Sequence, residues 1–170
     1  MASTLTAGTL TVKVVESITL NGVSQGGSNT LSIPSITNVS KSIVKCLTST
    51  EVAILGVATA DSTDLGKSYL AGQFDEDKVR YIRITNLDDE YWVNLTIRNS
   101  GNANANEIGL RLDSGQSFIY NPDLEVGTRQ TIMSSTSALS LGAISMNHLI
   151  DIAGIAKTAD VDLEVFVASI

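Results

Sequence analysis

The sequence is poor in the residues that carry covalent and metal chemistry. Among 170 residues there is a single cysteine, Cys46, and a single histidine, His148. One cysteine cannot form an intrachain disulfide, which excludes a small secreted scaffold stapled by disulfides. One cysteine and one histidine also exclude a zinc site built from the Cys and His ligands of one chain. We therefore expect the fold to depend on its apolar core.

Charge and hydropathy exclude further classes of protein. The chain has 11 basic and 18 acidic residues, a net charge of −7. Because phosphate contacts need clustered basic residues, we expect no nucleic-acid partner. The longest run of apolar residues and glycine, Val52 to Ala58, is too short to span a bilayer about 30 Å thick, so we expect no membrane partner. Met1 to Gly8 has neither a basic nor an apolar stretch, and a secretory signal is not expected.

The residues that are abundant favour strands. The chain contains 20 Ser and 17 Thr, and only 17% of its residues are charged. Exposed faces of long helices are usually rich in Glu, Lys, Gln, Arg and Ala, whereas Ser, Thr and Gly between runs of Val and Ile are typical of short strands joined by turns. The composition predicts an all-β protein.

Period-two alternation of apolar and polar residues locates the strands. Glu51–Ala58 has a helical alternative, but Gly56 and Val57 favour a strand there. Between the strands we predict a turn at Asn21–Gly22, a flexible loop over Ser24–Asn29 and a long surface loop over 60–77. The predicted strands are Thr9–Ser17, Thr30–Ile33 (ending at Pro34), Ser42–Thr48, Glu51–Ala58, Val79–Asn86, Tyr91–Asn99, Glu107–Leu112, Gln116–Tyr120, Thr136–Leu141, Asn147–Ile152 and Asp160–Ala168.

The clearest pair of strands is Val79–Asn86 and Tyr91–Asn99, which the short acidic connection 87–90 joins. We predict that they form an antiparallel hairpin with one apolar side. About ten short strands at regular spacing predict two packed sheets or a closed barrel, and their number favours an antiparallel β-sandwich that is jelly-roll-like. We expect one such domain over residues 9–170, preceded by an N-terminal arm over residues 1–8.

Residue patterns for catalysis are scarce. In a strand, His148 and Asp151 point to opposite faces, so they cannot pair locally in a nucleophile–His–acid triad. The acidic clusters 75–77 and 88–90 carry carboxylate oxygens, which are suitable ligands for Ca²⁺. Neither cluster fits the twelve-residue calcium loop, and we favour the alternative that these carboxylates are charges of solvent-exposed loops. We expect a protein that is not an enzyme and needs no cofactor.

Two aromatic residues stand together at the predicted hairpin, Tyr91 and Trp92. Exposed aromatic rings can stack on sugars, so the pair is a candidate platform for carbohydrate. The alternative, which we favour, is that Trp92 covers a face of the sandwich or makes a contact between subunits.

Three segments carry a resemblance to a known group of proteins. They are VRYIRITNLDDEYWVNLTIRN, GLRLDSGQSFIYN and the closing DLEVFVASI. They resemble small β-sandwich virion structural proteins of tailed bacteriophages, over about residues 79–120 and 160–170. The resemblance implies a structural role in the virion, either capsid decoration (cement) or a tail or fibre accessory, and it carries no catalytic residues.

From this resemblance we expect a homo-oligomer, with a trimer favoured, that binds the major capsid protein or other virion proteins. A module that binds carbohydrate or another surface is the alternative. The first 60 residues carry only three Lys and two Glu, which makes this segment a candidate contact surface, with an ordinary half-buried pair of strands as the alternative. The residues predicted to contact a partner are Thr4, Leu5, Thr6, Leu10, Val12, Tyr91 and Trp92.

Overall fold

A computed structural model of the chain describes residues 6–57, 74, 78–98, 107–121 and 151–170. Within these ranges the protein is all-β, with twelve strands and no helix. The strands are β1 (Gly8–Val15), β2 (Thr19–Leu20), β3 (Val23–Ser24), β4 (Ser28–Ile36), β5 (Asn38–Cys46), β6 (Val52–Gly56), β7 (Val79–Asn86), β8 (Val93–Arg98), β9 (Glu107–Leu112), β10 (Ser117–Tyr120), β11 (Asp151–Ala156) and β12 (Val161–Ser169).

Eight of these strands form two antiparallel four-stranded sheets. Sheet 1 has the order β10-β7-β12-β5, and sheet 2 has the order β9-β8-β11-β6. The strand pairs β5–β6, β7–β8, β9–β10 and β11–β12 are each consecutive in the chain and lie in opposite sheets. This is the double Greek-key arrangement of an eight-stranded jelly roll. The predicted antiparallel, jelly-roll-like β-sandwich is therefore confirmed, with eight of the twelve described strands in its two sheets.

The core lies between the two sheets and consists of the side chains that point inward from each strand. Ile82 and Ile84 of β7 face it from sheet 1, and Val93 and Leu95 of β8 face it from sheet 2; all four are fully buried. Cys46 is also fully buried there, and desolvation raises the pKa of its thiol to about 11. The cysteine is thus a core residue that stays protonated at neutral pH.

The predicted hairpin of Val79–Asn86 with Tyr91–Asn99 is wrong. The first strand has the predicted bounds and the second is Val93–Arg98, but β7 and β8 lie in different sheets and pair with other strands. Both strands turn an apolar face to the same core, and two strands that face each other across a core show the same alternation as two that lie side by side. The alternation alone therefore does not show whether two consecutive strands pair in one sheet or lie in opposite sheets.

The corner between β7 and β8 is held by the buried side chain of Asn86. Its amide nitrogen donates to the backbone oxygens of Tyr91 at 2.9 Å and Leu112 at 3.2 Å, and its oxygen accepts from the backbone N–H of Asp88 at 2.9 Å. These bonds tie the corner to the end of β9. The turn 113–115 likewise leads from sheet 2 into sheet 1, as β10 pairs with β7.

Other boundaries differ from the prediction. The second predicted strand does not end at Pro34, because β4 continues to Ile36 through a bulge in which Ser35 has a positive φ of 63°. Proline is tolerated there because a bulge leaves its residue unpaired. The predicted strand Ser42–Thr48 is Asn38–Cys46, and the described part of the predicted Asn147–Ile152 continues to Ala156. The predicted strand Thr136–Leu141 and His148 lie outside the described residues.

Candidate binding surface

The four strands outside the sandwich form one long antiparallel hairpin, residues 8–36, which we call the ribbon. Its cross-strand pairs run in one unbroken register from Leu10–Ile33 to Val15–Ser28 and again from Thr19–Ser24 to Leu20–Val23. Backbone hydrogen bonds between Glu16 and Gly27 join the two parts. At about 3.3 Å per residue, the ribbon extends roughly 33 Å from Leu10 to its tip. The predicted flexible loop Ser24–Asn29 is therefore wrong.

The tip of the ribbon is a two-residue turn at Asn21–Gly22, as the sequence predicts. Both residues have positive φ, 51° and 77°, which is the requirement of a type I′ turn. Gly26 is needed for a different reason, since a Cβ there would lie 2.2 Å from the backbone oxygen of Glu16. Asparagine and glycine thus let the Ser/Thr-rich segment close into a hairpin.

The ribbon is amphipathic, because its two faces alternate along each strand. One face carries the apolar row, defined as Leu10, Val12, Val14, Ile18, Leu20, Val23, Leu31 and Ile33, with Glu16 in its middle. The other face is mostly Ser and Thr, with cross-strand pairs such as Thr11–Ser32 and Thr19–Ser24, and it also carries Lys13 and the exposed Val15. Lys13 and Glu16 are the only charged residues of the ribbon.

The end of the apolar row that lies farthest from the tip, which we call its near end, packs on the outer face of sheet 1. Leu10, Val12 and Ile33 contact a second apolar cluster that includes Tyr81 and Ala168. The same cluster holds Ile36 and Phe166, whose ring meets that of Tyr81 edge-on with centroids 5.9 Å apart. This contact fastens the ribbon to the sandwich.

The far end of the apolar row is exposed. The side chains of Val14, Ile18, Leu20, Val23 and Leu31 are 41–58% exposed, and we call these five residues the distal row. An isolated two-stranded hairpin is only marginally stable in water, and contiguous exposed apolar side chains mark interaction sites. The distal row is the candidate binding surface of this chain.

A second exposed apolar surface lies on the outer face of β5, the edge strand of sheet 1. Val39 and Ile43 are 53% and 66% exposed, and Lys41 and Lys45 alternate with them on the same face. We call Val39, Lys41, Ile43 and Lys45 the β5 strip. It adjoins the outer face of β12, where Phe166 contacts the ribbon.

Three charged side chains lie next to one another in the middle of this outer face. Glu164 accepts from Lys41 at 2.7 Å and from Arg83, whose guanidinium also lies 5.9 Å from the centre of the Phe166 ring. The hydrogen bond from Lys41, assisted by the charge of Arg83, holds the pKa of Glu164 below its ordinary value. Glu164 therefore stays ionised at neutral pH and leaves Lys45 as the other cation of the β5 strip.

The structure places the predicted contact residues in different surroundings. Thr4 and Leu5 lie outside the described residues, and Thr6 is exposed ahead of β1. Leu10 and Val12 are half-buried against their own sandwich. The alternation of the Thr9–Ser17 segment indicated this face but not its continuation through Ile18, Leu20 and Val23, which sequence reasoning missed.

Tyr91 and Trp92 stand next to each other at the start of β8. Tyr91 is half-buried and packs against the main core. The Arg111 guanidinium covers one face of the Trp92 ring, 4.5 Å from its centre, and pairs with Asp113 at 2.5 Å. That ring face is therefore occupied by a side chain of the same molecule, where a stacked sugar would need it open.

The acidic cluster 88–90 serves the turn that it occupies. The carboxylate of Asp88 accepts from the backbone N–H groups of Tyr91 at 2.6 Å and Glu90 at 2.8 Å, and these bonds lower its pKa. Among the residues that the structure describes, no group of three His, Cys, Asp or Glu is placed to hold a metal ion. The cluster 75–77 falls outside the described ranges.

Comparisons with known proteins add no relative. No family model, curated protein or solved structure matches this chain. In the described part of the chain, no helix is long and apolar enough to cross a membrane. The surfaces of the ribbon and of sheet 1 are the features that bear on function.

The stacking of Arg111 on Trp92 gives a direct prediction. Arg111→Ala should shift the fluorescence of Trp92, the single tryptophan, to longer wavelength, because the ring becomes exposed to water. The free energy of unfolding should fall by about 0.5–1 kcal/mol, the size of an exposed cation–π contact. Lys13→Ala on the ribbon is the control and should leave the emission unchanged. An unchanged spectrum in Arg111→Ala would contradict the stacking.

Proposed function

We propose that this chain is a virion structural protein that decorates the capsid of a tailed bacteriophage. It acts by binding and not by catalysis, as an oligomer on the virion with the major capsid protein as its partner. The observation that carries the proposal is the ribbon, which presents an uncharged distal row to the surroundings of the molecule. The five residues of the distal row carry no charge, and Glu16 is the one charged residue on this face of the ribbon, so burial against a partner strands at most one ion.

Two further features support the proposal. The jelly roll recurs in viral capsid proteins, an analogy of fold that raises the expectation without assigning a role. Residues 61–170 carry eight basic and sixteen acidic residues, so the excess of negative charge belongs to the part of the sequence that follows the ribbon. Like charge on neighbouring copies keeps a dense array soluble, while many weak contacts together give firm attachment. A closed cyclic oligomer, with three copies favoured, suits such a lattice.

The test compares particles of the phage that encodes this sequence with particles from which the gene has been deleted. We expect the protein in purified wild-type virions and, in a difference map between the two reconstructions, density on the outer capsid surface. Density confined to the tail would replace capsid decoration by the tail or fibre role. Absence of the protein from washed virions would overturn the proposal.

A second variant tests the predicted contact by Thr4, Leu5 and Thr6. Deletion of residues 1–8 should reduce binding of the purified protein to gene-deleted capsids by at least about tenfold, the loss of roughly 1.4 kcal/mol of contact. Co-sedimentation at several protein concentrations measures it. Circular dichroism of the truncated protein is the control for folding. Undiminished binding would contradict a role for this segment.

A further inference from the structure

We propose that the distal row of one copy packs face-down on the β5 strip of a second copy of this chain. The inference rests on the oligomer of the proposed function and names the surfaces that form it. Both surfaces are exposed, and none of the other residues that the structure describes covers either of them. When copies exchange ribbons, each copy gives one surface and receives another, so both become buried in a closed assembly.

The β5 strip continues a surface that the ribbon already contacts within one chain. The near end of the apolar row, with Leu10, Val12 and Ile33, packs on the outer face of sheet 1. The β5 strip is the next part of that same face, since Lys41 and Val39 pair with Phe166 and Ala168 of β12. The outer face of sheet 1 is thus shown to accept this face of the ribbon.

The second argument is the pattern of charge. The ribbon has Val14, Glu16 and Ile18 at two-residue spacing on its apolar face, so one anion stands between aliphatic side chains. The β5 strip alternates aliphatic residues with lysine in the same spacing, and Lys41 is already paired with Glu164. Lys45 is then the cation that an incoming Glu16 would meet beside Ile43. Complementary charge of this kind fixes register between partners.

The first experiment measures the mass of the purified full-length protein by light scattering and sedimentation, without any virion component. We expect a closed oligomer for the wild type. The variant Ile18→Ser with Leu20→Ser should be a monomer at the same concentration, because it places hydroxyls in the distal row. The matched control, Thr19→Ala with Ser24→Ala, alters the opposite face at the same distance from the tip and should remain oligomeric.

The second experiment tests the pairing of Glu16 with Lys45 across copies. Glu16→Lys and Lys45→Glu should each weaken association by at least about tenfold, since each brings like charges together. The two changes combined in one chain should restore association to within about threefold of the wild type. Both residues are exposed, so circular dichroism should show the same fold in every variant.

The outcomes separate this inference from the proposed function. A monomeric wild type, an oligomer that survives Ile18→Ser with Leu20→Ser, or a double charge variant no better than the single ones would overturn the exchange of ribbons. If the wild type is a monomer and the Ile18→Ser, Leu20→Ser variant loses only capsid binding, the distal row contacts the capsid instead. That result overturns the inference and leaves capsid decoration standing.

Discussion

Replacing Asn86 by alanine is expected to lower the free energy of unfolding by about 3 kcal/mol. The side chain is buried and makes three hydrogen bonds, to the backbone of Tyr91, Leu112 and Asp88. Alanine would leave two carbonyl oxygens and one N–H without these partners, and each unsatisfied buried group costs about 1–3 kcal/mol. Since these bonds join the corner of β7 and β8 to β9, we expect loss of cooperativity across both sheets.

Urea unfolding followed by Trp92 fluorescence measures this effect. The measurement is made at a fixed protein concentration, because association stabilises the folded state by mass action. Asn94→Ala is the matched control, as Asn94 is exposed on β8, and its effect should stay within about 0.5 kcal/mol. A loss below about 1 kcal/mol in Asn86→Ala would show that the corner does not depend on this side chain.

Gly154→Ala is expected to destabilise the protein by about 1–3 kcal/mol through overpacking of the core. A Cβ at this position of β11 would lie 2.7 Å from Cδ1 of Ile54 and 3.0 Å from Sγ of Cys46. Ile54→Val removes the nearer atom at a cost of about 1 kcal/mol by itself. In the double variant the two losses should not add, and the coupling should be about 1 kcal/mol.

The control for this prediction is Gly109→Ala on β9. Nothing lies within 4 Å of a Cβ placed there, so the change should be close to neutral. The labelling rate of the Cys46 thiol gives a second readout, because this fully buried group reacts only when the core opens. Strict additivity of Gly154→Ala and Ile54→Val would show that the core accommodates the methyl group elsewhere.

The sequence predicted the class of fold and several strands, because these depend on local alternation. Ile82 and Ile84 share one phase and Tyr81 and Arg83 the other, which located β7 with its observed bounds. The same alternation did not assign β7 and β8 to separate sheets, since that choice depends on the packing of two buried faces. Asn86 is the residue that points to separate sheets. It is polar, it lies in the same phase as the buried Ile82 and Ile84, and it ends the strand, which is typical of a chain that turns from one sheet into the other.

The candidate surface was predicted only in part. The sequence predicts a contact strand that carries Leu10 and Val12, and its residues predict the turn at Asn21–Gly22. Their combination into one long hairpin was missed, because Gly26 and Gly27 within a polar stretch are also typical of a flexible loop. The β5 strip was missed because the exposure of Val39 and Ile43 depends on β5 being the edge strand, which is a property of topology.

The order of strands in sheet 1 has a consequence for biosynthesis. β12 lies between β5 and β7 and follows both in the chain, so the two earlier strands cannot take their places until β12 has left the ribosome. The ribbon pairs only residues that are close in sequence, so its backbone pairing does not wait for β12, although its packing on sheet 1 does. A nascent chain therefore contains the complete ribbon before the two sheets of the sandwich can close, and the pairing of β12 with β5 and β7 is a late, long-range step of folding.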